Sequence, residues 1–370
     1  MKILSVFGTR PEAVKMAPVV RALRLTPGVN ARVCVTAQHR QMLDQVLDLF
    51  QIQPDYDLDL MRDDQSLAEL SAAIFTGLDP VLAGFQPDWV LVQGDTTTVA
   101  ITALLAYYRR VRVGHVEAGL RTHDKWQPFP EEINRRVAGV AADLHFAPTE
   151  WARQNLLREG VDDKSIAVTG NPVIDALRVV AAQPEPREVG RLLEKTAGKR
   201  LVLVTAHRRE NFGRPLEDIC AALLTLARRG DAEIVYPVHL NPNVQEPVYR
   251  LLGNIPNITL LPPLDYLPLV HLMKRAALIL TDSGGIQEEA PAFGVPALVL
   301  REVTERPEGV EAGVLKLVGT ATGRIVREAT RLLDDPSAHA AMAKAVNPYG
   351  DGQAAERIVR ALLSHAVSAL

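Results

Sequence analysis

Gly8-Thr9-Arg10-Pro11-Glu12 follows a short apolar run, Ile3 to Phe7, and Lys15 lies one helical turn further in. A turn of this kind at a helix start offers backbone N–H groups and the positive end of the helix dipole. Arg10 adds a planar fork of donors, so an anion fits there. The same residues also make a plain strand-to-helix turn with a solvated arginine. Asp282-Ser283-Gly284-Gly285-Ile286-Gln287-Glu288-Glu289 repeats the design in the second half. Its glycines let the backbone approach a ligand, its helix start suits a phosphate, and Glu289 falls where a carboxylate can receive ribose hydroxyls. A structural turn is again the alternative. One phosphate-type turn in each half points to a diphosphate shared by two domains.

Carboxylates recur at the same kind of place. Asp95, in Gly94-Asp95-Thr96-Thr97-Thr98, ends a strand and starts a helix, where an N-cap role for Asp95 or Thr96 accounts for it equally well. Glu117 sits among small residues in Gly114-His115-Val116-Glu117-Ala118-Gly119, with a salt bridge as its ordinary explanation. Pro128-Phe129-Pro130-Glu131-Glu132 sets two carboxylates at a helix start, which dipole complementation would also explain. Thr205-Ala206-His207-Arg208-Arg209 brings a histidine and two arginines to the first strand of the second half. They suit a phosphate or a developing anion, or a basic surface loop. His239 reads either as a ligand or as a satisfied histidine. The cations Arg10, Lys15, His207, Arg208 and Arg306 thus collect with Asp95, Glu117 and Glu131, three carboxylates without an obvious partner in the sequence. Such a set describes acid–base work on a nucleotide-linked substrate.

Placing these residues just after strands demands repeated strand–helix units. Candidate strands cover 2–7, 31–36, 89–93, 111–116, 144–147 and 166–169. After a charged, proline-containing stretch at 183–188 the pattern restarts with 200–205, 233–237, 258–261, 277–281, 297–300 and 315–318. Helix-length amphipathic segments fill the intervals, with Pro11, Pro172 and Pro215 in first turns and Ser66 or Asp79 as caps. This predicts an α/β fold of two Rossmann-like doubly wound domains facing across a cleft, with the site at the carboxyl ends of the strands. The first domain is assigned residues 1–170, completed by a last helix over 352–370, and the second residues 171–351.

The chain has 370 residues, 47% hydrophobic and 23% charged, with a net charge of −3. That balance gives no reason to coat nucleic acid or an anionic membrane. Cys34 and Cys220 make neither a disulfide scaffold nor a zinc site, which fits a reducing cytosol. The first apolar run is too short for a secretory signal, and no stretch is expected to approach the ~18–20 uncharged apolar residues of a membrane span. A cytoplasmic location follows. No G-x-G-x-x-G follows a strand, and neither G-x-x-x-x-G-K-[ST] nor H-E-x-x-H occurs, so no nicotinamide cofactor, P-loop or metal is expected. A D-x-D at Asp57 and Asp59 hints at metal-dependent glycosyl transfer but sits in a polar connector.

The segments FGTRPEAVKMAP, TAQHRQMLDQVL, GDTTT, GHVEAGLRT, PEEINR, TAHRRENFG, YPVHLNPNV, DSGGIQEEAP, TERPEG and NPYGDGQA run in this order along nearly the whole chain. Together they resemble the bacterial non-hydrolysing UDP-N-acetylglucosamine 2-epimerases. The resemblance implies a GT-B type fold, a homodimer, and interconversion of UDP-GlcNAc and UDP-ManNAc with neither metal nor nicotinamide. It implies elimination of UDP to 2-acetamidoglucal and re-addition, since departure of UDP builds oxocarbenium character at C1 and acidifies the neighbouring C2–H. By the same resemblance Asp95, Glu117 and Glu131 are the acid–base candidates. His207 joins them and also serves, with Arg10, Lys15, Arg306 and the Ser283-Gly284-Gly285 turn, as a donor to UDP. Glu289 takes the ribose, and Leu264 and Leu269 lie near the nucleotide. Gln38, Gln41, Arg208 or Arg209, and His239 would line a pocket for a second UDP-GlcNAc that acts as an activator.

Three positions depart from the family pattern. Gln93 stands where a histidine is expected before GDTTT, Leu269 replaces an aromatic residue, and Asp64 occupies a position where some members carry an arginine near the activator. The last predicts weak activation. A GT-B glycosyltransferase, a hydrolysing 2-epimerase and a non-enzymatic nucleotide-sugar sensor share parts of the pattern. The products formed from UDP-GlcNAc alone separate them.

Overall fold

Runs such as Ile3-Leu4-Ser5-Val6-Phe7 are buried along their whole length, which suits strands covered by helices on both faces. In the computed structural model, which describes residues 1–36, 40–62, 64–196 and 198–367, these runs form two parallel sheets. The first contains β1 (Lys2–Phe7), β2 (Asn30–Val35), β3 (Tyr56–Asp57), β4 (Trp89–Gln93), β5 (Arg112–Val116), β6 (Leu144–Ala147) and β7 (Ile166–Val168), in the order β3-β2-β1-β4-β5-β6-β7. The second contains β8 (Arg200–Thr205), β9 (Ala232–Pro237), β10 (Ile258–Leu261), β11 (Leu278–Thr281), β12 (Ala297–Val299) and β13 (Leu315–Leu317), in the order β10-β9-β8-β11-β12-β13. Both are Rossmann-like and doubly wound: each runs outward in one direction, then reverses beside its first strand.

The first sheet belongs to a unit of Met1–Ala176 and Tyr349–Leu370, and the second to Leu177–Pro348. Leu4, Val6, Leu78, Leu82 and Val90 pack in the first core, and Val202, Val204, Leu223, Ile234 and Leu280 in the second. Burying one such side chain stabilises by about 1.5–3 kcal/mol, so these clusters dominate the cohesion of their units. The helix Ala354–Val367 packs on the helix Arg10–Leu25 of the first unit. Asp175 fixes its start by accepting the N–H groups of Ala354 (3.2 Å) and Ala355 (2.9 Å).

Three details differ from the sequence reading. Asp57 lies in the edge strand β3, paired with Val35, and its carboxylate accepts the Asp59 N–H at 3.2 Å. Asp79 is not a cap: the helix Leu67–Phe85 runs through Asp79-Pro80, and Asp79 pairs with Arg109. That helix is, by length and composition alone, long and apolar enough to cross a membrane, contrary to the expectation that no stretch comes near. It buries Leu70, Ile74, Leu78, Leu82 and Phe85 on one face, and Ser66 and Glu69 form its capping box.

Candidate active site

In the first sheet the order reverses between β1 and β4, and the turns after these strands carry Arg10 and Asp95. Open α/β sheets bind ligands at such switch points. Glu12 ties the two turns together. One carboxylate oxygen accepts from the Gly8 N–H (2.9 Å), the Thr9 N–H (2.7 Å) and the Thr9 hydroxyl (2.8 Å), and the other from the Thr96 hydroxyl (2.6 Å). Burial pushes this carboxyl above its ordinary range, against the opposing pull of Thr96, Gly8 and Thr9. The arrangement corrects the reading of this turn as an amide cradle for phosphate. The Gly8 and Thr9 amides are taken by Glu12 and Pro11 has no N–H, so of the cradle the Arg10 amide is left, beside the side chains of Arg10 and Lys15.

Glu117 follows β5, is 7% exposed, and has φ of 64°, a left-handed backbone that few non-glycine residues adopt. Residues held in this way cluster at functional sites, where their surroundings over-determine them. Lys15 Nζ donates to Glu117 Oε1 at 2.5 Å, Asn171 Nδ2 donates to the same oxygen at 2.9 Å, and Gln93 Nε2 donates to Oε2. Asp95 is half-buried and receives Arg135 Nη2, whose other terminal nitrogen lies 3.3 Å from the buried Glu132. Glu132 also accepts the N–H groups of Thr122 (3.1 Å) and His123 (3.2 Å), pinning that loop. Glu131 is half-buried in the first turn of the helix Glu131–Ala141. The picture of Asp95 and Glu117 as carboxylates without partners is therefore corrected: Lys15 and Arg135 answer them. Those partners lie 102 and 40 residues away in sequence, so no local pattern announces them. Nearby, His115 Nε2 lies 2.7 Å from the Gly94 carbonyl, and burial pushes its imidazole down to about 3 and that of His145 to about 4.

In the second sheet the reversal falls between β8 and β11, which lead into His207 and Ser283. Asp282 is buried, and one of its oxygens receives the N–H groups of His207 (2.8 Å) and Arg208 (2.8 Å) and Asn211 Nδ2 (3.0 Å). It thereby shapes the basic loop. His207 stacks on His239 with ring centroids 5.2 Å apart, and burial lowers its imidazole, opposed by Asp282 and reinforced by His239 and Arg208. The Ser283 N–H donates to the Thr281 hydroxyl at 2.9 Å. Gly284 and Gly285 open the helix Gly284–Glu289, where first-turn amides have no intrahelical acceptor. Arg306 Nε donates to Glu288 at 2.6 Å, and a Cβ on Gly284 would stand 2.8 Å from Arg306 Nη1, so glycine admits the guanidinium at this turn. Burial opposes ionisation of Glu305, yet Arg306 and Arg301 outweigh it and hold its carboxyl at about 2. Glu289 ends the helix, 5% exposed, and accepts the Tyr266 hydroxyl at 2.9 Å. Leu264 and Leu269 are half-buried, before and within the helix Tyr266–Arg275.

Two reversal points, each carrying cations and carboxylates, now stand beside a match to known proteins: the family model of UDP-N-acetylglucosamine 2-epimerases fits residues 21–363. The chain belongs to this family. The UDP-N-acetylglucosamine 2-epimerase of Salmonella typhimurium is 57% identical over 375 residues, covering 100% of both chains, and that of Campylobacter jejuni is 51% identical, covering 98% of this chain and 97% of its own. The crystal structure of the Neisseria meningitidis epimerase bound to UDP-GlcNAc matches with a TM-score of 0.92 at 48% identity, over 98% of this chain and 100% of that one. The Methanocaldococcus jannaschii epimerase in complex with UDP-GlcNAc and UDP matches at 0.82 and 33% identity, over 98% and 100%. The family is the non-hydrolysing epimerase, and the two Rossmann-like domains are of its GT-B type.

In this family member the residues that sequence reasoning passed over are those that hold other residues. Asn171, Arg135, Asp282 and Tyr266 each bind a candidate site residue or shape its loop. Asp282 opens the Asp282-Ser283-Gly284-Gly285 turn, and Gly170-Asn171-Pro172 is a helix-start signal that marks Asn171 as a cap. Gln93, noted only as a departure, touches Glu117 directly. Of the residues the resemblance connects with an activator, Arg208 and His239 adjoin or stack on His207. Gln38 lies outside the described residues, and Gln41 is described only by its backbone, in the first turn of the helix Arg40–Leu49.

Proposed function

We propose that this 2-epimerase interconverts UDP-GlcNAc and UDP-ManNAc by anti elimination and re-addition of UDP. The C1–O bond breaks with its electron pair leaving on the diphosphate, and the resulting oxocarbenium character acidifies C2–H. A carboxylate takes the C2 proton, the C–H pair becomes the C1–C2 double bond of 2-acetamidoglucal, and UDP adds back after a proton reaches the opposite face. The observation that carries the reading is Glu117, a buried carboxylate on a left-handed backbone, met by Lys15, Gln93 and Asn171. In this scheme Asp95, Glu117 and Glu131 share proton transfer and oxocarbenium stabilisation. Arg10, Lys15, His207, Arg306 and the Ser283-Gly284-Gly285 turn take the diphosphate, Glu289 the ribose, and Leu264 and Leu269 the base. The test is NMR of the purified protein with UDP-GlcNAc alone, in D2O with EDTA and no NAD. UDP-ManNAc should appear and both epimers gain deuterium at C2. Turnover that retains C2–H overturns the elimination, free N-acetylmannosamine marks a hydrolase, and an unchanged substrate marks a transferase or a sensor.

The same proposal includes a homodimer, a second UDP-GlcNAc as activator, and work in the cytoplasm on envelope polysaccharide precursors. For the dimer, the helix Leu67–Phe85 turns Ala72, Pro80 and Ala83 away from its buried stripe, and Tyr107 and Tyr108 of the helix packed beside it are 64% and 63% exposed. Apolar patches of this kind mark protein contacts. Sedimentation should find a dimer, and a monomer at micromolar concentration rejects it. For the compartment, Cys34 and Cys220 are free thiols, each pushed up to about 12 by burial, as suits a reducing environment.

A further inference from the structure

We propose that Asn171 is a positioning residue for Glu117, held in that role by the returning segment at Tyr349-Gly350. The inference rests on the reading of Glu117 as an acid–base group. Asn171 precedes the helix Pro172–Ala181, and its amide is committed at both ends. Oδ1 accepts the Val173 N–H at 3.1 Å, and Nδ2 donates to Glu117 Oε1 at 2.9 Å. The first bond decides the second. An amide has one accepting end and one donating end, so meeting Val173 with oxygen leaves N–H for Glu117. Turning the amide over would set a carbonyl oxygen against a carboxylate.

The backbone of Asn171 is fixed as firmly as its side chain. Its N–H donates to the Tyr349 carbonyl at 2.7 Å. Gly170 and Gly350 lie backbone to backbone: a Cβ on Gly170 would stand 3.2 Å from Gly350 Cα, and their φ angles are 84° and 129°. A Cβ on Gly350 would in turn stand 3.3 Å from Gly170 Cα, so side chains are disfavoured at both positions by conformation and by space. One turn further on, Asp175 receives the N–H groups of Ala354 and Ala355. The segment that returns from the end of the chain is thus stitched to the start of this helix on either side of Asn171. Glu117 is faced by Lys15 from the first helix, Gln93 from β4, Asn171 from this helix start and His115 from β5, the strand before it. Among these contacts, Asn171 alone links Glu117 to residues near the C-terminus. Its donor occupies Oε1 together with Lys15, which fixes the rotation of the carboxylate about its last bond.

Substitutions separate this role from simple helix capping, because Asp and Ser cap about as well as Asn. Asn171→Ser keeps the bond to Val173 and loses the donor to Glu117. Asn171→Asp keeps the bond to Val173 and turns a second carboxylate oxygen onto Glu117. If Asn171 positions Glu117, kcat falls on the order of 10–100-fold in Asn171→Ser and further in Asn171→Asp, as sub-ångström displacement of a reacting group does. KM for UDP-GlcNAc stays within about threefold and thermal midpoints stay near that of the unsubstituted protein. Unchanged kcat in both variants overturns the inference and leaves a cap. A drop in kcat that merely tracks a lowered thermal midpoint overturns it too. Glu117→Gln, assayed in parallel, keeps the two readings apart. If Glu117→Gln is active, the premise and the inference fall together; if it is inactive while Asn171→Asp is normal, only the inference falls.

Discussion

Glu117 meets Lys15, Gln93 and Asn171 where a solvated carboxylate would meet water, and Asp95 meets Arg135. The proposed acid–base role of these two carboxylates can be tested one at a time. Glu117→Gln and Asp95→Asn preserve shape and remove charge, so both should fold. Loss of a general acid or base costs about 10²–10⁴-fold, and the loss should fall on kcat while UDP affinity, read by calorimetry, is retained. Normal turnover in both would leave them as structural partners of Lys15 and Arg135. On the second sheet, Gly284→Ala puts a methyl 2.8 Å from Arg306 Nη1, whose guanidinium is tethered by Glu288. The group must move, and since a charge-assisted hydrogen bond contributes about 1.5–3 kcal/mol, UDP binding should weaken by roughly tenfold or more with little change in thermal midpoint. Unaltered UDP affinity would remove Arg306 from the diphosphate.

At the scale of elements, β5 and β6 carry His115 and His145, paired in register at adjacent positions and both pushed down by burial, to about 3 and about 4. A histidine lowered in the folded state binds its proton more readily when unfolded. Its contribution is fully present above the ordinary value near 6.5 and is lost as pH falls from there toward the folded value. Between pH 7 and 5 each should remove about 2 kcal/mol of stability. Urea midpoints across that range should show the slope, and His145→Leu should lessen it; an unchanged slope would remove His145 as a source. These strands were legible in the sequence. β1, β4, β6, β8 and β10 fall on the ranges expected, because each is a short apolar run bounded by turn residues. β3 was not, since two residues become a strand only where β2 offers an edge. The helix Leu67–Phe85 was broken too early at Asp79-Pro80, since local helix-start chemistry there is overridden by the buried stripe from Leu70 to Phe85. The site was half legible for the same reason. Glycine-flanked strand ends single out Arg10, Asp95 and Glu117 as candidates, and a basic run after a strand singles out His207, whereas Asn171, Arg135 and Tyr266 reach their partners only through the fold.

The whole molecule adds regulation and order. Asp64 is exposed with φ of 53°, at the position the resemblance connects with an activator. A repulsive charge there should erode an allosteric coupling of only about 1–3 kcal/mol. UDP-ManNAc alone should therefore be converted at a substantial fraction of the rate seen with added UDP-GlcNAc. Asp64→Asn, which tolerates the same backbone, should raise the dependence on UDP-GlcNAc, and Asp64→Arg should raise it further. Inert UDP-ManNAc, switched on sharply by trace UDP-GlcNAc, would place Asp64 elsewhere. The order lies in the discontinuous first unit, which takes in Tyr349–Leu370 from the far end of the chain. During translation its sheet leaves the ribosome early, but the helix that packs on Arg10–Leu25 and the carbonyl that fixes Asn171 follow only after the second unit. At about 5–20 residues per second, synthesis of the intervening second unit imposes a wait of about 10–35 s. Throughout that interval the uninterrupted second unit is free to fold while the first stands open on one side. The backbone anchor of Asn171, which itself donates to the left-handed Glu117, therefore becomes available only after the whole second unit has been made.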